Sequence, residues 1–503
     1  MRLTWILLIL ILISCTPPNT PPTISKPEDK TVFHNTLAQG ETLEVTFTIN
    51  DLEDTPEKLT TSASFDKADI VTALAPISCT KKTCTLSFRI ERKQVTTVKA
   101  TLVVIDTVGA KATSSFAITV SPKDVTVSTG ADFITLIDQA QAGESIRINS
   151  GLLKLSEQIL LDKELSLWGM GLDKTILDAQ NLDRIFWIQP EAKVVLNDMT
   201  LQNGQAKDDG PTLADEPLGG AIFNEGVLGL ERVRILTSKA VRGGGVYNYD
   251  TGLLTLKESI IGEKDKGNSA SRSGGGLFND SGKMNVLKSR VSFNEGVERG
   301  GGIYNHFNGL LVVEESTFDA NISWDGTAIK NDNDQTGTAT TIIRKSVIQN
   351  HQASQFEGGA IFNRGRLELY ESSITKNATL IGEGGGIYSL GPTSVVILDN
   401  ATISENRGAG NGGGINNTNA LSTLIIRNGS KIINNQSSGS GGGIFNEGKL
   451  TVTVDCEISG NRAGSGRRGG GMYSVGQLVN TTKETLIATV KNNQPDNIYP
   501  ELP

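Results

Sequence analysis

Ten times between residues 219 and 474 the chain returns to one phrase: a glycine run, an apolar residue, an aromatic residue, an asparagine. It reads GGAIFNEG from Gly219, GGGVYNYD from Gly243, GGGLFNDS from Gly274 and GGGIYNHF from Gly300. GGAIFNRG follows from Gly358 and GGGIFNEG from Gly441. Aligned on the third residue, the copies run from Ala221 to Gly471 at spacings of 24 to 32 residues. That period is too long for one strand and too short for a domain. It fits one coil of a solenoid, with loops of varying length inserted into coils of constant core.

The fourth position is apolar in every copy, from Ile222 to Met472. Side chains alternate across a strand, so these residues stack inward, coil upon coil. Two residues on, with the same parity, stand Asn224, Asn248, Asn279, Asn305, Asn331, Asn363, Asn417 and Asn446, with Ser389 and Ser474 in the other two copies. Inward asparagines at a bend can adopt left-handed backbone and bond to those above and below, giving an amide ladder. A second series, Asn294, Asn321, Asn350, Asn377, Asn406, Asn435 and Asn461, predicts another ladder. Cys456 falls where Ser289, Ser316 and Ser372 precede their asparagines, which suits a small packed residue better than a reactive thiol. Short strands without long helical connections precede the repeats, and Asp132–Gly143 has the apolar spacing of a capping helix. The expected fold is all-β: an N-terminal β-sandwich, then a right-handed parallel β-helix of roughly 12–13 coils. Its ten repeats and upstream coils, about 4.8 Å apart, make a rod of roughly 60 Å.

Between the apolar residue and the asparagine stand Phe223, Tyr247, Phe278, Tyr304, Phe362, Tyr388, Phe445 and Tyr473; Lys330 and Asn416 replace the ring twice. Parity points these rings outward. As an exposed column they offer a binding surface for sugar rings or an apolar partner. Folded under the loops ahead of each glycine run, they are packing instead.

The GGAIFN phrase and later segments such as FDAN (318–321) resemble the repeats of chlamydial polymorphic membrane proteins. They are similar, more widely, to bacterial surface β-helix proteins with pectin-lyase-like folds. The resemblance implies a surface adhesin. It departs from that family where a C-terminal membrane barrel is expected, for the chain ends QPDNIYPELP. Residues 23–121 alternate in strand fashion (LEVTFTI, CTLSFRI, KATLVVID, SSFAITV) and resemble Ig-like or cadherin-like spacer modules. There, Cys79 and Cys84 flank a hairpin-sized loop and are expected to form a disulfide. Asp51, Glu53, Asp54 and Asp106 offer oxygen ligands for Ca²⁺, against the plainer reading of a solvated acidic turn. No other cofactor or metal is expected, and the three histidines lie far apart.

The opening MRLTWILLILILISC has one cation before an apolar run too short to span a membrane. It resembles a lipoprotein leader, which implies a signal peptide over 1–14, lipidation of Cys15 and a Pro-rich tether over 15–22. The β-helix is expected over 125–503. A net charge of −8 without a basic tail excludes a general nucleic-acid binder. The reading is therefore a lipid-anchored, monomeric protein of the bacterial outer membrane or cell surface. It touches the membrane through its lipid only and binds an extracellular polysaccharide or protein, without enzymatic activity. The alternative is a polysaccharide lyase or glycoside hydrolase. The acidic insertions Ala206–Pro217 and Asn331–Gly337 give it no obvious carboxylate pair.

Overall fold

The computed structural model describes residues 19–33, 42–90, 95–207, 216–334, 337–354 and 358–500. The leader, Cys15 and His34 lie outside the described residues, as do 208–215 of the first acidic insertion and 335–336 of the second. The chain divides into two compact units between Lys123 and Asp124.

In the first unit, alternating sequence becomes two sheets with one core. Leu43–Asn50 and Thr83–Ile90 pair antiparallel, with Thr23–Ile24, Val71–Ala73 and Ser78–Thr80 beside them. The other sheet holds Thr60–Phe65, Thr96–Ile105 and Lys111–Ser121, edged by Lys30–Phe33. Phe47, Leu86 and Phe88 from one sheet meet Val98, Leu102, Phe116 and Ile118 from the other. Two sheets closed over one apolar layer make a sandwich. A disulfide joins Cys79 to Cys84 across the hairpin, where Lys81 turns the chain at φ 54°.

The second unit is a right-handed parallel β-helix. A 13-stranded parallel ladder, from Ile159–Leu161 to Ile498–Tyr499, holds one strand per coil. A 24-stranded sheet supplies two strands to each regular coil, and an eight-stranded sheet flanks the middle coils. The capping helix α1 spans Gly130–Gln139, earlier than the apolar spacing suggested. Thr129 accepts from the Asp132 amide while the Asp132 carboxylate accepts from the Thr129 amide, a reciprocal cap that fixes the start. Phe133 and Ile137 of α1 join the solenoid core, and Leu486 of α2 (Lys483–Thr489) closes the far end.

Three polar ladders line the corners of the coils. The first follows the ring-bearing strands: Asn224 Nδ2 donates to Asn248 at 2.6 Å, and the chain continues through Asn279, Asn305, Asn331 and Asn363 at 2.7–2.9 Å. Ser389 and Ser474 accept in the asparagine's place, while Asn417 donates to Asn446. The second ladder runs Asn268, Asn294, Asn321, then Asn377, Asn406, Asn435, Asn461 and Asn493. Here two expectations are corrected. At one rung the ladder residue is His351, whose Nδ1 accepts from the Asn321 amide; Asn350 sits beside it at φ 59° and bonds Asp319 outside. The left-handed backbone expected of the first ladder's asparagines is absent from them and belongs instead to the residue ahead of second-ladder asparagines (Phe293, Ala320, Lys376, Glu405). The corner is formed first, and the next side chain reaches inward to satisfy it. The third ladder is of serines: Ser259, Ser289, Ser316 and Ser346 each accept a backbone N–H from the coil before. Cys456 follows Ser430 on this line, buried.

Candidate functional site

The aromatic column is longer than the ten repeats implied, and it is not the open strip expected of a binding surface. In register, Leu160, Trp187, Phe223, Tyr247, Phe278 and Tyr304 succeed one another, and Tyr499 ends the series after Tyr473. The rings pack on each other, with centroids 4.8 Å apart for Tyr247–Phe278 and for Phe278–Tyr304. Phe223, Tyr247, Phe278, Tyr304, Phe362 and Tyr388 are buried; Phe445 and Tyr473 are partly exposed. The segment ahead of each glycine run lies alongside and covers them, for Leu218 joins the ring cluster and Arg242, Arg272 and Arg299 reach over it. Parity sent the rings away from the solenoid core, but a second, outer packing layer received them.

Cations fill the breaks and ends of this layer. Lys330 replaces a ring: its Nζ lies 4.3 Å from the Phe362 centroid and 2.7 Å and 3.5 Å from carboxylate oxygens of Asp325 and Asp332. Arg184 approaches Trp187 and Phe223 at the other end. A buried ammonium requires such partners, because it has lost its water.

Two residues beyond the rings, on the same side, Tyr249, Asp280, His306 and Asp332 stand in register on successive coils. His306 Nδ1 lies 2.9 Å from Asp280 and Nε2 2.7 Å from Asp334, and the Tyr247 hydroxyl donates to Asp280 at 2.5 Å. Burial disfavours the His306 imidazolium, but hydrogen bonds to Asp280 and Asp334 outweigh it and raise its pKa above the ordinary value. Burial likewise pushes Asp280 up, and the bonds from His306 and Tyr247 overcome it, so its carboxyl is held below the usual range.

Beside this chain opens a cleft of about 120 Å³ lined by Arg242, Arg272, Arg299, Phe278, Tyr304 and His306, with Ser273 and Asp334. Glu216 bridges two of the guanidinium groups: its carboxylate oxygens lie 3.0 Å from Arg242 Nε and 2.7 Å from Arg272 Nη1. Arg299 is exposed, and against the pull of burial the nearby carboxylates of Asp325, Glu298 and Asp332 hold its guanidinium above its ordinary pKa; Glu298 also lies 3.8 Å from Arg272 Nε. Sequence reasoning missed these arginines, although their signal was legible. VRGGG, SRSGGG and ERGGG place Arg within two residues of the glycine run in three successive copies; Asp325, Glu357, Glu383, Asn411 and Ser440 precede the run in the next five, and Arg468 in the last.

The other candidate residues serve elsewhere. The ladder asparagines are buried and structural. In the sandwich, Asp51, Glu53, Asp54 and Asp106 do not gather round a common point. Asp51 accepts from the Glu53 and Asp54 amides, Glu53 from Thr20, Asp54 from Thr107, and Asp106 from Asn19, Val108 and Ala110. Among the described residues, no three His, Cys, Asp or Glu side chains are grouped to hold a metal ion. Nor do two exposed carboxylates occupy matching places on adjacent coils of the ring face, since His306 separates Asp280 from the buried Asp332.

No protein-family model and no curated protein sequence matches the chain. Among solved structures, a family 28 exopolygalacturonase from Yersinia enterocolitica aligns over 87% of this chain and 94% of its own, with 10% identity and a TM-score of 0.33.

Proposed function

We propose that this chain is a lipid-anchored protein of the bacterial cell surface whose β-helix binds an extracellular polysaccharide or protein. The observation that carries the reading is the arginine cleft. It is the place on the ring-bearing flank where cations, ring edges and an imidazole converge on open space, the mix of apolar wall and placed polar groups that ligand sites use. Anchoring rests on the leader and Cys15, and adhesion on the resemblance to surface β-helix repeats. Glycan-array retention by the purified full chain, together with its fractionation into membranes and loss of that fraction in Cys15→Ser, tests both parts. A soluble Cys15 protein would remove the anchor, and a blank array would remove the polysaccharide arm.

A hydrolase is the second reading, favoured by the Asp280–His306–Asp334 chain bordering the cleft. General acid–base work needs carboxyl groups free to reach a scissile bond from two sides. Asp280 is held by Tyr247 and His306, and Asp332 is buried with Lys330. New reducing ends released from any retained glycan would establish the enzyme and replace the binding reading.

A further inference from the structure

We infer that the arginine cleft takes the acidic group of a carboxylate- or sulfate-bearing glycan, and that Glu216 is the chain's own stand-in for that group. The inference rests on the binding reading above and names its ligand class.

Charge chooses the class. Guanidinium groups from three successive repeats face one small space, with Glu216, Glu298 and Asp334 as the carboxylates at its edge, so an acidic group entering it meets a cluster of cations already held in place by carboxylates. Arginine presents a planar fork that matches carboxylate and sulfate oxygens two at a time. Glu216 already places one carboxylate between Arg242 and Arg272 of neighbouring coils, one oxygen toward each. Arg299 is exposed, and among the described residues Asp325, Glu298 and Asp332 act on it through space without a direct ion pair. An incoming acid can therefore meet Arg299 first and then displace Glu216 from the other two.

Size and spacing choose the glycan. About 120 Å³ is well below the 300–1,000 Å³ that encloses a whole small ligand, so the cleft receives part of a longer molecule that continues outside. The coils repeat at about 4.8 Å, close to the length of one sugar ring. Alternate residues of an extended peptide recur at about 6.6 Å and fall out of step.

The test is equilibrium binding of the purified full chain to alginate (carboxylate), heparin (sulfate), neutral dextran and poly-glutamate, at two salt concentrations. Alginate or heparin should be retained and dextran not. Arg299→Ala should weaken retention at least tenfold, Arg299→Lys less so, and Glu216→Gln should strengthen it threefold or more by freeing Arg242 and leaving Arg272 only its longer contact with Glu298. Unchanged circular dichroism would show that the surface variants fold. Dextran retained as well as alginate would overturn the acidic class while leaving a glycan binder. Poly-glutamate retained in preference would move the ligand to proteins. A Glu216→Gln variant that binds no better would overturn the stand-in role. Retention of none of the four would overturn the inference, and with it the polysaccharide arm of the reading.

Discussion

His351 shows how much a single rung can carry. Its ring fills an asparagine's place in the second ladder, with Nδ1 accepting from Asn321 and its own amide donating to Asn377. Burial pushes its pKa down to about 4, since the interior disfavours the charged ring. The sign follows. Between about pH 6.5 and 4 the unfolded chain binds a proton that the folded chain does not, so stability falls as pH drops through that window. The loss at pH 5 is about 2 kcal/mol. His351→Asn should keep the rung and remove that loss, so its thermal midpoint should fall less than wild type's between pH 7 and pH 5. Parallel slopes for the two proteins would show that the histidine is not the source.

At the scale of the element, each coil is closed by its turn. Gly300 begins one glycine run at φ +60°, where a Cβ would lie 2.6 Å from the Ile303 carbonyl oxygen and 3.0 Å from Tyr304 Cβ. Gly300→Ala combines left-handed backbone, costly for any side chain, with that contact. A loss of at least about 2 kcal/mol in urea unfolding is expected. Gly302→Ala meets a carbonyl just as closely, 2.5 Å from the Ala328 oxygen, but its backbone is not left-handed and Ala221, Ala328 and Ala360 occupy its place in other coils, so it should cost less. Equal losses would mean that the first glycine's conformation is not what the turn requires. The same turn brings the preceding strand alongside the rings, which is why a column that alternation pointed outward became an outer layer of packing.

For the whole molecule, the charge of the cleft should govern binding. The raised pKa of His306 means that it stays an imidazolium to higher pH than a free histidine, beside three arginines and between Asp280 and Asp334. As pH rises through that value the cation is lost and the two carboxylates remain. Retention of an acidic glycan should therefore weaken only at a pH above that at which an ordinary histidine loses its proton, and His306→Gln should flatten the profile. A profile that is flat in wild type would disconnect this imidazole from the ligand. The contribution of His306 to stability runs the same way, present at low pH and lost on raising it, opposite to that of His351. The buried His351 and the half-buried His306 thus respond to pH in opposite directions.

The repeats by themselves determined the coil. Their period, the inward apolar and asparagine positions and the glycine runs are local rules that every copy obeys, so the β-helix and its first amide ladder were legible in the sequence alone. Alternation did the same for the sandwich. What only the tertiary structure decided depends on residues brought together from different coils. His351 rather than Asn350 fills a rung, because the corner is set by the backbone and not by residue type. The rings from Phe223 to Tyr388 are buried, because the early rings pack on one another and against the segments before their glycine runs. Arg242, Arg272 and Arg299, with Glu216 from an insertion, make one cleft only when successive coils stack. Sequence states what each coil contains, and a site built between coils exists only in their register.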